Sequence, residues 1–284
     1  LGSVSPINDP PEIEVPTENR VLYIEDEPPV ALVPRLTIND VDNDGLIGAI
    51  VEFTEGFRSG EDRLIFGQGG GGIVGAYDRG RGVMELRGVA SVEEDQGALR
   101  RVLYDNRSEN PNSLSRVLTV RVRDEGLESQ AIKAIVTVEA VNDPPLLARV
   151  EADPLVYVEG DTPVPLSESI LVATLDDLIF TEAIVKISEN YQRDEDALVV
   201  GELPVGLMAG DFDVEMGVLS ITGEGNLTDY QTALRSVSYV NLSNQPNLLV
   251  RGVEFLIRDL DLLSESKFRE VRIDEGLSHD ASGL

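Results

Sequence analysis

Alternation of apolar and polar residues is the dominant rhythm of this chain. In SRVLTVRVRD (residues 115–124), Leu118, Val120 and Val122 point one way, while Val117, Thr119, Arg121 and Arg123 point the other. A strand turns successive side chains to opposite faces, so a period of two marks a sheet with one side buried. AIVEFTE (49–55), AIVTVEAV (134–141), AIVKIS (183–188), GVLSIT (217–222) and VEFLIRD (253–259) follow the same rule. Each is short, rich in Val and Ile, and bounded by Gly, Asn, Asp or Pro. Many short strands with regular turns predict an all-β chain built as an antiparallel sandwich or barrel. Two stretches break the rhythm: SVEEDQGALRRVLY (91–104) and NLTDYQTALRSVSY (226–239). Each opens on Ser or Asn, carries acids in its first turn, then spaces its apolar residues helically. This predicts a short helical turn running into a strand that starts near Val102 and near Val237.

The same elements come round twice. VLYIEDEPPVAL (21–32) lies on LVYVEGDTPVPL (155–166), an offset of 155 − 21 = 134. After one inserted residue, ALRRVLYDN (98–106) lies on ALRSVSYVN (233–241), an offset of 233 − 98 = 135. VRVRDEGLES (120–129) and FLIRDLDLLS (255–264) keep that second offset. A match over the whole length with one single-residue shift is an internal duplication. Its period suits a domain rather than a solenoid repeat. INDPPEI (7–13) and AVNDPPLL (140–147) introduce the two copies, and their paired prolines hold the chain extended where no helix can form. The predicted organisation is two tandem sandwich domains, 1–141 and 142–284, each with a short helical turn.

Composition narrows the function. Of 284 residues, 52 are Asp or Glu and 23 are Lys or Arg, giving a net charge of −29. Such a chain repels nucleic acid and anionic membranes at long range and attracts cations. No run of apolar residues is long enough to span a membrane. There is no cysteine, so disulfides and thiolate metal sites are excluded. The single histidine, His279, sits in a polar C-terminal stretch, which leaves a Ser-His-Asp arrangement little to work with. The chain does not begin with Met and is expected to be an excerpt of something longer. GQGGGG (67–72) lacks the following Lys and Ser or Thr of a phosphate-cradling loop, and a hairpin loop between strands is the expectation.

One acidic loop stands out. In NDVDNDG (39–45), Asp40, Asp42 and Asp44 alternate ahead of Gly45, as at the start of an EF-hand loop. The twelfth position is Val51, with Glu52 one later, so a complete EF-hand is absent. Three acids within five residues repel one another, and a divalent ion removes that cost. An exposed turn that uses Asp and Asn for turn chemistry reads the same residues equally simply. In the second copy the stretch is ATLDDLIF (173–180): only Asp176 matches Asp42, with Asp177 beside it. Any site there is weaker or built differently.

NDPP, YIEDEPPVAL, YVEGDTPVPL and LTDYQTALRSVSYVNLSNQPN together resemble the cadherin-like repeats of large bacterial and algal surface proteins and adhesins. The resemblance covers both copies nearly end to end. It implies immunoglobulin- or cadherin-type sandwiches strung in tandem, extracellular, often calcium-binding and not enzymatic. It further implies that a Glu near the start of the first domain, acids near its end, the linker and the next domain gather Ca2+ at the joint. By motif these are Glu25, Asp124, Glu125, Asn142, Asp143 and Asp176. The plainer reading of Arg123–Asp124 and Arg258–Asp259 is strand-end turns with local Arg–Asp pairing.

Three Asn-x-Ser/Thr sequons occur, at Asn106, Asn226 and Asn241, and become candidate glycan sites in a eukaryotic secretory host. The sequence therefore points to a non-catalytic extracellular module: a calcium-stiffened spacer or filament-building unit of a surface protein. Its expected partners are neighbouring repeats and other copies or surface proteins. A glycan- or protein-binding module is the alternative, although aromatics are 5% of residues and Trp is absent. An enzyme such as a carboxylate-dependent glycosidase is disfavoured, because among 52 acids a suitable pair carries no information.

Overall fold

In the computed structural model the described residues are 7–16, 18–67, 72–176 and 179–276. The chain divides into two compact units, Leu1–Val141 and Asn142–Leu284. Unit 1 runs β1 (Glu12–Glu14), β2 (Arg20–Ile24), β3 (Val30–Ala31), β4 (Thr37–Asn39), β5 (Gly45–Glu55), β6 (Asp62–Phe66), β7 (Val74–Asp78), β8 (Val83–Ser91), α1 (Val92–Leu99), β9 (Val102–Asn106), β10 (Arg116–Arg123) and β11 (Ile132–Glu139). Unit 2 runs β12 (Leu146–Ala148), β13 (Leu155–Val158), β14 (Val164–Pro165), β15 (Leu171–Ala173), β16 (Phe180–Glu189), β17 (Asp196–Val200), β18 (Met208–Ala209), β19 (Val218–Gly225), α2 (Leu227–Arg235), β20 (Val237–Asn241), β21 (Arg251–Arg258) and β22 (Lys267–Asp274).

The sheets repeat strand for strand. Unit 1 has a six-stranded sheet β2-β11-β10-β5-β8-β7, a three-stranded sheet β3-β9-β6, and the pair β1-β4. Unit 2 has β13-β22-β21-β16-β19-β18, β14-β20-β17 and β12-β15. Among the described residues, pairing is antiparallel except at one place in each unit. There the early strand joins the last one in parallel, β2 on β11 and β13 on β22. Alternation could not reveal this, because it reports which face is buried and not which way a neighbour runs.

Each core lies between the large and the small sheet. Val120 and Val122 of β10 and Val51 of β5 face it, together with Val102 of β9 and Leu64 of β6, all nearly or fully buried. Tyr23 of the large sheet meets Tyr104 of the small one edge-on, ring centres 5.3 Å apart. Tyr157 and Tyr239 repeat this contact in unit 2, also at 5.3 Å. Such pairs add about 1 kcal/mol beyond the area that they bury.

The helices sit where the broken rhythm places them, and their caps explain why. Ser91 accepts from the Glu94 N–H while the Glu94 carboxylate accepts from the Ser91 N–H. Asn226 and Asp229 form the same reciprocal box on α2. Just before each helix the chain passes a left-handed glycine, Gly88 (φ 151°) and Gly223 (φ 129°). A Cβ on Gly223 would lie 2.2 Å from the Gly206 carbonyl oxygen, so only glycine fits there.

One connection differs from expectation. Residues 68–71 of GQGGGG lie outside the described residues, but the flanking strands do not pair: β6 belongs to the small sheet and β7 to the large one. The connection crosses between sheets and is not a hairpin. His279 and Asp177 also lie outside the described residues.

Candidate functional site

The acids singled out in the sequence fall at the ends of the sandwiches. In unit 1, Asn8 donates its carboxamide to Asp124 (3.0 Å), and the Asp9 N–H donates to Asp42 (2.9 Å). In unit 2, Asn142 donates to Asp259 (3.3 Å), and the Asp143 N–H donates to Asp176 (2.9 Å). Each Asn-Asp pair that introduces a unit is thus tied to that unit's own body. Asp124 and Asp259 are completely buried, and each closes its turn by accepting two backbone N–H groups: Gly126 and Leu127 for one, Asp261 and Leu262 for the other. Burial pushes the Asp124 pKa up, but the N–H groups of Leu127 and Gly126 and the Asn8 carboxamide outweigh it, so the carboxyl lies below its ordinary value.

This arrangement corrects two expectations. The resemblance grouped Asp124 with Glu25, but the two lie at opposite ends of the sheet. Asp124 follows β10, next to the start of β11. Glu25 follows β2, and its carboxylate accepts from Val141 N–H (2.7 Å), just past the end of β11. Eight residues of β11 separate these ends by roughly 25 Å at the usual strand rise. Local Arg–Asp pairing also fails: Arg258 pairs with Glu182 (3.3 Å), not with Asp259. Glu125 is exposed on the turn beside Asp124.

Asp40 and Asp42 are bound up in their own loop. Asp40 Oδ1 accepts from the N–H groups of Asp42 (3.2 Å) and Asn43 (3.1 Å). The Asn43 carboxamide reaches Asp42 (3.1 Å), Asp40 (3.4 Å) and Asn8 (2.8 Å). Asp44 is exposed. Hard oxygens are the right chemistry for Ca2+. The geometry does not fit it, because a carboxamide lies between the acids and no three acidic or histidine side chains converge as metal ligands among the described residues.

Two of the three sequons lie inside the fold. Asn106 and Asn241 are 7% and 5% exposed, and their Nδ2 atoms donate to Asp62 (2.8 Å) and Asp196 (3.0 Å). Nδ2 is the atom that a glycan would take, so neither site is compatible with this packing. Asn226 is exposed, with its oxygen occupied as the helix cap.

What holds those asparagines is a buried network that the sequence reading missed. Asp62 accepts from Tyr104 (2.6 Å), Asn106, and the Arg116 Nε (3.1 Å), and also from the Arg58 N–H (2.7 Å). Arg116 also donates to the backbone carbonyls of Asn112 and Leu114. Unit 2 rebuilds it from Asp196, Tyr239, Asn241 and Arg251, with Arg251 Nε 2.8 Å from Asp196. Arg116 and Arg251 are both fully buried. Burial and the Asp62 hydrogen bond raise the Tyr104 pKa, and burial and Asp196 raise that of Tyr239, so both phenols stay protonated as donors. The available signal was the repetition of Asp, Tyr, Asn and Arg at matched positions, which strand alternation treats as surface.

Comparison with known proteins comes from structure alone. No family model and no curated protein matches the chain. Solved structures similar to it include the human mucin-like protocadherin EC1-2 fragment: 14% identity, 93% of this chain and 98% of that chain, TM-score 0.32. The mouse cadherin-23 EC22-24 fragment gives 11% identity, 95% and 67% coverage, and a TM-score of 0.34. The protocadherin GammaB4 extracellular domain gives 15% identity and a TM-score of 0.31. This chain covers 95% of its own length but spans 33% of that last chain. Extracellular fragments of cadherins and protocadherins are thus among the solved structures that the chain is similar to.

Proposed function

We propose that the chain is a non-catalytic spacer made to carry tension between its ends, in the extracellular part of a larger surface protein. One observation supports this most strongly. In each unit an early strand and the last strand lie side by side and parallel, β2 on β11 and β13 on β22. Pulling a unit by its two ends therefore loads these ladders in shear, so that several hydrogen bonds must break together. The duplication adds to this, since a spacer gains length by repeating one sandwich.

Single-molecule pulling on the whole chain tests the reading. Pulled by its ends, unit 1 is expected to resist more force than when handles at Ile65 and Leu103 peel neighbouring strands of its small sheet apart. Equal or lower resistance end to end would overturn the proposal.

Calcium stiffening is the finer form of this reading. It requires the Asn43 carboxamide to leave Asp40 and Asp42 and free their oxygens. Calcium is then expected to raise the melting temperature and slow amide exchange across residues 40–45, and Asp42→Ala to remove both effects. No response to calcium, or to EDTA, discards the stiffening and leaves the spacer standing.

A further inference from the structure

The outer face of the large sheet of unit 1 holds a cleft lined by Gly48, Glu85, Arg87, Arg121, Arg123 and Glu128. Strand register explains the clustering. Gly48 on β5 stands between Arg87 on β8 and Arg123 on β10, and Ile50 stands between Glu85 and Arg121. A Cβ at Gly48 would lie 2.5 Å from the Leu86 carbonyl oxygen, so the close approach of β8 keeps the slot empty.

Unit 2 supplies the comparison that gives the slot a meaning. The matched row reads Thr222, Glu182, Arg258, and the Glu182 carboxylate takes the Arg258 guanidinium at 3.3 Å. Unit 1 keeps the arginine, as Arg123, and replaces the glutamate with glycine. Arg87 is paired with Glu85 and Arg121 with Glu52 (2.6 Å). The Arg123 side chain has no hydrogen-bond or ion-pair partner among the described residues. The Arg121 Nε is buried and also lacks a partner among them. A buried donor left unmet is costly, and a ligand that satisfies it recovers that cost. Counting Glu52, three guanidiniums face three carboxylates, so this patch is neutral on a chain of charge −29.

We propose that this cleft binds an acidic peptide segment of a partner, whose Glu or Asp carboxylate takes the place that Glu182 fills in unit 2. Arg123 and Arg121 hold the carboxylate in charge-assisted hydrogen bonds, for which a guanidinium fork is suited.

The test is a nitrogen-15 amide titration of the whole chain, at low salt, with a capped Gly-Ser-Glu-Ser-Gly peptide and its Gln twin. The Glu peptide is expected to shift Gly48, Arg121 and Arg123 and to leave unit 2 unmoved. The Gln twin should shift none of them. Arg123→Ala is expected to weaken binding about tenfold, and Arg258→Ala to leave it unchanged. Shifts spread over both units, equal binding of the Gln twin, or an unaltered affinity in Arg123→Ala each overturn the proposal. So does a response to oligogalacturonate with none to the Glu peptide, which would assign the slot to a sugar acid.

Discussion

The two units share one topology, and three of the spots where they diverge separate what the fold needs from what is free to change. Asp62, Tyr104, Asn106 and Arg116 return as Asp196, Tyr239, Asn241 and Arg251, with matching partners and burial. The tyrosine pair across the sheets returns at the same spacing. By contrast, Gly48 becomes Glu182 on the outer face, and the loop acid Asp40 becomes Thr174. On the core side of the helix, Asp95 becomes Tyr230. Tyr230 donates its hydroxyl to the Gly223 carbonyl (2.6 Å), whereas Asp95 is 2% exposed and its Oδ2 has no partner among the described residues. Repetition of a buried polar group marks a structural need. Its replacement marks a place where one unit carries a burden that the other does not.

The largest expected effect falls on the shared network. Asp62→Ala strands the buried Arg116 charge and should destabilise unit 1 by about 3–5 kcal/mol. Asp196→Ala should do the same to unit 2. Hydrogen exchange on the whole chain assigns each loss to its unit, and a loss shared equally by both units would break the comparison. Replacing Arg116 with Met together with Asp62→Leu removes the unpaired charge but should still destabilise unit 1, because Tyr104, Asn106 and the Arg58 N–H lose the carboxylate they donate to.

The helix position should respond in the opposite direction. Burial, with Glu94 nearby, raises the Asp95 pKa from 3.8 to about 6. Between those values the folded state keeps a proton that the unfolded chain has released. The contribution of Asp95 to the stability of unit 1 therefore falls as pH rises from about 4 to 6, and that loss is complete above the window. Asp95→Asn should stabilise unit 1 at pH 7 by on the order of 2 kcal/mol and flatten that slope. Melting curves across the window decide it; an unchanged slope would remove Asp95 as the cause. Tyr230→Phe in unit 2 should instead cost about 1 kcal/mol, with no slope between pH 4 and 7.

The helix caps give the smallest expected effect. Ser91→Ala and Asn226→Ala should each cost about 1 kcal/mol in thermal or denaturant unfolding. Similar losses are expected, since both caps complete the same reciprocal box.

Much of this was legible in the sequence. Leu118, Val120 and Val122 alternate with polar or outward-facing neighbours along the chain, and all three are buried in the sheet. Ser91 and Asn226 signal helix starts because capping is local, involving residues three apart. The Asn-Asp pairs were legible as markers but not as contacts. Asn8 meets Asp124 across 116 positions, and nothing in either neighbourhood indicates the other. Asn106 and Asn241 looked like surface acceptors because a sequon is a local pattern, while their burial depends on Asp62 and Asp196 from a neighbouring strand.

By itself, then, the sequence determined the duplication, the strands, the two capped helices and the strongly acidic balance, all of which depend on residue spacing along the chain. Tertiary structure alone decided that early and last strands run parallel, that Arg116 and Arg251 lie inside, and that Asp42, Asp124, Asp176 and Asp259 bind their own unit's backbone. It also decided that Gly48 leaves a slot where Glu182 fills one. These outcomes depend on pairings between residues far apart in sequence, and a pairing has no trace in either strand until the chain brings the two together.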